Sequence, residues 1–170
     1  PKNSIVFAFC AYRLFDERKG RKDLIKAIEN LKDDNIALLC IGGGTLPVET
    51  RVPVYCTGEI GNDSLMALAY SAANYFAMPS YQEVFAQTPM EAMACGLPVV
   101  AYPCSGASDL IDETNGIVCD DFTEEALCRG IRRLLSVKYD EECIRRNMEV
   151  NYSPSHIARQ YLDVYKEILD

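Results

Sequence analysis

Apolar residues along this chain follow two rhythms. Short unbroken runs rich in β-branched and aromatic side chains occupy Ser4–Ala11, Ile36–Ile41, Val52–Cys56, Tyr75–Met78, Leu97–Ala101 and Gly116–Cys119. Runs of that length predict strands covered on both faces, as in parallel sheets. Between them apolar positions recur at helical spacing. Asp23–Leu31 carries Leu24, Ile25, Ala27, Ile28 and Leu31, and a segment capped by Asn62 or Asp63 carries Leu65, Met66, Leu68, Ala69 and Ala72. A third helix is expected to end at Gly96, and a short one lies near Ala107–Ile111. From Thr123 onward the pattern is helical only, over Glu124–Leu135, about Asp140–Glu149 and about Ser155–Leu169, with Pro154 separating the last two.

Strands alternating with helices at short spacing predict an α/β, doubly wound fold with a mostly parallel six-stranded sheet in a single domain. Ligands in such sheets sit beyond the carboxyl ends of the strands. The loops expected there are Tyr12–Gly20, Gly42–Leu46, Thr57–Asn62, Pro79–Thr88 and Tyr102–Ala107.

Composition narrows the function. The 170 residues are 49% hydrophobic and 25% charged, as in an ordinary globular domain, and no run approaches a membrane span. The net charge of −8 argues against nucleic acid as a partner. Basic residues nevertheless gather early, in Arg13, Arg18, Lys19, Arg21, Lys22 and Lys26, which suits a small anionic ligand or, for Lys22 and Lys26, a solvated helix face. The eight cysteines contain no C-x-x-C, and Cys10, Cys40, Cys56 and Cys119 fall at or near strand ends, so they read as small core hydrophobes. The single histidine, His156, has no partner at metal-ligand spacing. Pro1 in place of methionine is expected of a processed terminus or of a piece cut from a longer chain.

The chemistry concentrates in Met78–Tyr102, where a strand, a polar loop, a helix and a glycine stop follow one another. A helix start offers unpaired amides and partial positive charge to phosphate. Glu83 and Glu91 stand on either side of it, and carboxylates are good acceptors for sugar hydroxyls. Each has a plainer reading: Glu83 as an exposed loop acid, Glu91 as the far member of a capping box begun by Thr88, with Pro89 at the first helical position. Arg13 and Lys19 share one loop and together could neutralise a diphosphate. Gly42-Gly43-Gly44 follows a strand but continues into neither a dinucleotide nor a P-loop pattern, and reads as a strand-exit turn.

The string P-S-Y-Q-E-V-F-A-Q-T-P-M-E-A-M-A-C-G-L-P-V-V-A resembles the E-x7-E signature of retaining glycosyltransferases with the GT-B fold, family four. The Tyr12-Arg13-Leu14…Arg18-Lys19-Gly20 loop, the I-G-G-G strand end, Tyr55–Ile60, and S-G-A-S-D-L-I followed by N-G-I-V extend the resemblance over nearly the whole chain. It implies the Rossmann-like C-terminal, donor-binding half of such an enzyme, without the N-terminal acceptor domain. Arg13 and Lys19 would hold the donor diphosphate, Glu83 would be the catalytic residue at the hexose, and Glu91 would bind the ribose. Amides of Phe85 and Ala86 would touch the sugar, those of Gln87 and Thr88 the phosphates, and Ile60 the base. Ala86 and Tyr12 stand where the family carries glycine.

The resemblance further implies transfer of a hexose from a UDP-, GDP- or ADP-linked sugar to a glycan or lipid-linked acceptor, with retained configuration and with neither metal nor other cofactor. The setting it suggests is bacterial polysaccharide synthesis in the cytoplasm, with peripheral membrane association through the acceptor domain. A nucleotide-sugar epimerase and a non-catalytic nucleotide-binding domain are the alternatives.

Overall fold

Six strands lie in the order β3-β2-β1-β4-β5-β6, and every pairing between them is parallel. The structure, a computed structural model, describes residues 4–32, 35–44 and 49–169. Part of the expected Gly42–Leu46 loop, Thr45 and Leu46, lies outside the described residues. The strands are β1 (Ile5–Arg13), β2 (Ile36–Gly43), β3 (Val54–Cys56), β4 (Tyr75–Met78), β5 (Val99–Ala101) and β6 (Gly116–Val118). The helices are α1 (Arg21–Leu31), α2 (Asp63–Ser71), α3 (Gln87–Ala94), α4 (Ser105–Ser108), α5 (Glu124–Ser136), α6 (Glu141–Tyr152) and α7 (Pro154–Leu169). The sheet is therefore wholly parallel, and its order reverses between β1 and β4, where doubly wound folds take their ligands.

Two apolar layers sandwich the sheet. Phe7, Phe9, Leu38 and Val100 face α1 and α5 through Leu24, Ile28, Leu127 and Ile131. Ala8, Ile41, Phe76 and Val99 face the other way, against Met93 of α3 and Ile144 and Met148 of α6. Side chains alternate across each strand, which is why unbroken apolar runs are needed where both faces are covered. The helix starts are fixed by ordinary caps. Asn62 accepts from the Leu65 amide at 3.1 Å, Thr123 from Ala126 at 3.2 Å and Asp140 from Cys143 at 3.0 Å.

Several boundaries differ from the sequence expectation; β2 runs on to Gly43, so Gly42 and Gly43 belong to the strand rather than to an exit turn, α1 starts at Arg21 and β5 at Val99. β1 continues past Ala11 to Arg13, through an irregularity between Cys10 and Arg13 that restores pairing with Gly43. β3 has only three residues, and as an edge strand it leaves Cys56 exposed rather than in the core. α4 starts at Ser105 rather than near Ala107. α3 starts at Gln87, so Pro89 is its third residue rather than its first.

In α7 no residue is buried, and Tyr161, Leu162, Val164, Tyr165 and Ile168 are all exposed. Among the described residues no helix is long and apolar enough to cross a membrane.

Candidate functional site

The turn that carries Lys19 is held rigidly. Asp16 caps a 3-10 turn over Glu17–Lys19 by accepting from the Arg18 amide at 3.0 Å. Gly20 then adopts φ 67°, and a Cβ there would run into the Pro79 carbonyl. Only glycine fits, and the close approach presses this turn against the end of β4.

Most of the early basic residues are committed to local partners. The Arg18 guanidinium lies 2.7 Å from Asp16 and holds that carboxyl below its usual range. Lys26 pairs with Glu124 at 3.0 Å, and Arg21 donates to the Leu14 carbonyl at 2.9 Å. Lys19 is different. Its ammonium donates to Glu83 Oε1, joining the two loops that the sequence singled out. Arg13 is exposed, stands opposite Gly43 in the sheet, and places its guanidinium 6.0 Å from the centre of the Phe15 ring. Among the described residues Arg13 forms no ion pair with an acid.

Glu83 is placed from its backbone as well. Ser105 Oγ donates to the Glu83 carbonyl at 3.0 Å, and Tyr81 N donates to the Arg18 carbonyl at 2.9 Å. Phe85 is exposed and Ala86 is buried. Ala86 is the N-cap of α3, with φ −89°, and it supplies no side-chain hydrogen bond. Alanine replaces glycine here without strain because the backbone stays at negative φ. The terminal amides of α3 are those of Ala86, Gln87 and Thr88, since Pro89 has none to offer. Their direction and partial charge suit phosphate oxygens.

The capping box expected of Thr88 and Glu91 does not form, because Thr88 lies inside the helix. Glu91 Oε2 instead accepts from the Tyr70 hydroxyl of α2 at 2.9 Å. Burial pushes the Tyr70 phenol well above its ordinary value, reinforced by Cys10 and Glu91, so it remains a protonated donor. Ile60 is half-buried and packs against the α3 side of the core.

The structure thus brings Lys19 to Glu83, sets Phe85–Thr88 at one helix start, and places Glu91 one turn further along the helix. It puts Arg13 on a strand end rather than in a loop. The partners of the Glu91 carboxylate and of the Glu83 carbonyl, Tyr70 and Ser105, escaped sequence reasoning, since neither lies near the residue it meets in the chain.

A concavity of ≈ 720 Å³, lined by Gly96, Tyr139, Asp140 and Arg145 among others, shares no residue with this site. The described residues contain no group of three His, Cys, Asp or Glu side chains able to hold a metal ion.

Comparison with known proteins gives the family of the chain. Residues 5–137 match the family described as Glycosyl transferases group 1. A GDP-mannose-dependent alpha-mannosyltransferase from Mycolicibacterium smegmatis is 34% identical over 141 residues, covering 80% of this chain and 36% of that protein. A D-inositol 3-phosphate glycosyltransferase from Salinispora tropica is 37% identical over 109 residues, covering 62% of this chain and 22% of that protein. The solved sucrose-phosphate synthase from Thermosynechococcus elongatus superposes with a TM-score of 0.76 at 27% identity, over 99% of this chain and 46% of that one. A glycosyltransferase structure from Rickettsia africae gives 0.81 at 22% identity, which speaks for the fold alone. The chain spans less than half the length of each of these proteins. By its sequence and its fold, the chain belongs to the group 1 glycosyl transferases.

Proposed function

We propose that this chain is the donor-binding, C-terminal half of a retaining GT-B glycosyltransferase, which moves a hexose from a nucleoside diphosphate sugar to a glycan or lipid-linked acceptor. The observation that carries it is the Lys19–Glu83 contact, four residues upstream of a helix whose N-cap leaves its amides uncapped. In this reading the diphosphate lies on the Gln87 and Thr88 amides, between them and the cations of Arg13 and Lys19. The hexose lies against Glu83, Phe85 and Ala86. Glu91, steadied by Tyr70, takes the ribose hydroxyls, and Ile60 flanks the base.

Bond breaking leaves negative charge on the departing diphosphate and positive character on the sugar. Fixed amides aimed at the diphosphate, joined by Arg13 and Lys19 once the donor is bound, stabilise that charge before the bond breaks, which is the larger part of such catalysis. Glu83 would orient the hexose and, once the diphosphate draws Lys19 toward itself, face the sugar with its carboxylate. The acceptor hydroxyl forms the new bond to the anomeric carbon on the face the diphosphate leaves, its proton passing to the departing diphosphate oxygen, and no metal ion is needed in this scheme. Acceptor choice, and any membrane attachment, would reside in the rest of the protein. The exposed face of α7 would then pack against that remainder.

Calorimetric titration with UDP, GDP and ADP tests the pocket. Saturable binding of at least one is expected, and no binding of any would remove the assignment.

A further inference from the structure

Tyr81, two residues before Glu83, lies where three parts of the chain meet. Its amide donates to the Arg18 carbonyl at 2.9 Å, beside Lys19. Its phenol donates to Asp23 Oδ2, in the first turn of α1. The same carboxylate oxygen accepts the hydroxyl of Tyr102 at 2.8 Å, at the end of β5. Tyr102 is 0% exposed and its ring centre lies 5.5 Å from that of Tyr81. Phe122 stacks on Tyr81 at 6.1 Å and 19°, closing the aromatic group.

Asp23 is thus fixed by a side chain of the core and grips a side chain of the loop. Its hydrogen bond holds the Tyr81 phenol up at about 12, so the hydroxyl stays a donor across the neutral range. The loop needs such a grip. Val84 is 94% exposed and Phe85 is exposed too, so apolar burial does little to fix this stretch. Hydrogen bonds must define it instead: Tyr81 at its start, and the Ser105 contact at Glu83 itself.

One short segment, 18–23, carries Lys19 and both acceptors used by Tyr81. Three contacts close a ring between that segment and the loop: Lys19 to Glu83, the Tyr81 amide to Arg18, and the Tyr81 phenol to Asp23. We propose that Asp23 and Tyr81 are positioning residues for the donor site, a latch that sets where Glu83 stands relative to Lys19. The inference rests on the reading of Glu83 and Lys19 as donor-site groups. Neither Asp23 nor Tyr81 meets the donor in this scheme. They act by keeping the carboxylate and the ammonium in one arrangement before substrate arrives, and small misplacements of such groups are costly to turnover.

The test uses the full-length glycosyltransferase, with UDP-glucose, GDP-mannose and ADP-glucose each offered as donor and Glu83→Gln run in parallel. Because a 1 Å misplacement removes about a hundredfold in rate, a loosened loop should lower kcat about tenfold in Tyr81→Phe, with donor KM within about twofold. Asp23→Asn keeps an acceptor oxygen and should retain most of the kcat that Asp23→Ala loses. Unchanged kcat in Tyr81→Phe, or equal losses in Asp23→Asn and Asp23→Ala, overturns the latch and leaves the site reading standing. Unchanged turnover in Glu83→Gln, or no turnover of any of the three donors by the unmodified enzyme, overturns the site reading and the latch with it.

Discussion

The Lys19 ammonium and the Glu83 carboxylate, 64 residues apart in sequence, form a direct ion pair in which both side chains are mostly shielded from water. A pair in that setting is more sensitive to loss of one member than of both, because the survivor keeps a desolvated charge. In the isolated chain, Glu83→Gln and Lys19→Met should each lower stability, while the double variant should lose less than the sum. A double-mutant cycle on urea midpoints should return a coupling of about 1 kcal/mol, and strict additivity would contradict the pairing. In the full-length enzyme Glu83→Gln should reduce turnover by about a hundredfold or more, the scale on which removal of a group aimed at the reacting centre is felt.

Glu91 offers a sharper test, because its proposed ligand differs between nucleotides by one hydroxyl. UDP should bind more tightly than 2′-deoxy-UDP by about tenfold, the value of a charge-assisted hydrogen bond of about 1.5 kcal/mol. That preference should shrink in Glu91→Gln, which keeps only a neutral acceptor, and in Tyr70→Phe, which leaves the carboxylate without its orienting donor. An unchanged ribose preference in Glu91→Gln would return Glu91 to a purely structural role. If the base is guanine or adenine, the same comparison applies to the corresponding diphosphates.

Gly20 couples two loops sterically. With φ at 67° and the Pro79 carbonyl where a Cβ would go, Gly20→Ala must move the turn that carries Lys19. The expected destabilisation exceeds about 1 kcal/mol, the cost of placing a side chain at left-handed φ, with a parallel fall in nucleotide affinity. Thermal unfolding and calorimetry of the same variant measure both. A stable variant with normal affinity would mean that the turn can shift freely.

Alkaline pH should weaken the fold through buried thiols. Burial holds Cys40 and Cys119 up at about 12 against an ordinary 9.0. Because the folded-state values are raised, the stabilisation from the neutral thiols is complete below the unfolded-state value. It is lost as pH rises through the folded one, over roughly pH 9 to 12. Melting temperature should fall across that window, with a shallower slope in Cys119→Ala. An equal slope in the variant would show that other groups, such as the buried Tyr70 and Tyr102 phenols, govern the transition.

Substitutions on the exposed side of α7 should leave the isolated chain unaffected. Tyr165→Glu and Ile168→Lys touch no buried surface, and exposed changes of this kind fall within about 0.5 kcal/mol. If that face meets the remainder of the enzyme, the same substitutions should depress the activity or stability of the full-length protein. Equal behaviour in both contexts would argue that α7 has no partner.

Much of this molecule was legible because its period and its punctuation agree. The runs at Ile36–Ile41 and Tyr75–Met78 could be covered on both faces only in a parallel sheet, and Gly96, at φ 89°, ends the α3 region where expected. The errors lie where tertiary context outweighs local pattern. Thr88–Glu91 spells a capping box, yet α3 begins two residues earlier than that motif requires. Cys56 reads as core but belongs to an edge strand. Arg13 reads as a loop residue because an irregularity in β1 cannot be inferred from composition. The site was half legible. Glu83 and Lys19 stand out in the sequence as an acid beside a helix start and a cation in another loop, but the hydroxyls around them come from distant segments and leave no periodic trace: Tyr81 and Tyr102 on Asp23, Tyr70 on Glu91 and Ser105 on the Glu83 carbonyl.

α3 is eight residues long, about 12 Å from end to end. Both ends of it are anchored, the first turn through Ala86 and Pro89 and the far half through Ala92 and Met93, in the layer that also holds Ile144 and Met148 of α6. A short rod held along its length moves as one piece. Exchanging Met148 for a larger or smaller apolar residue would therefore shift the amides proposed to bind phosphate without altering any atom near them. Divergence in donor preference among proteins built this way could accumulate on the back of the sheet, in residues that no inspection of the binding surface would pick out.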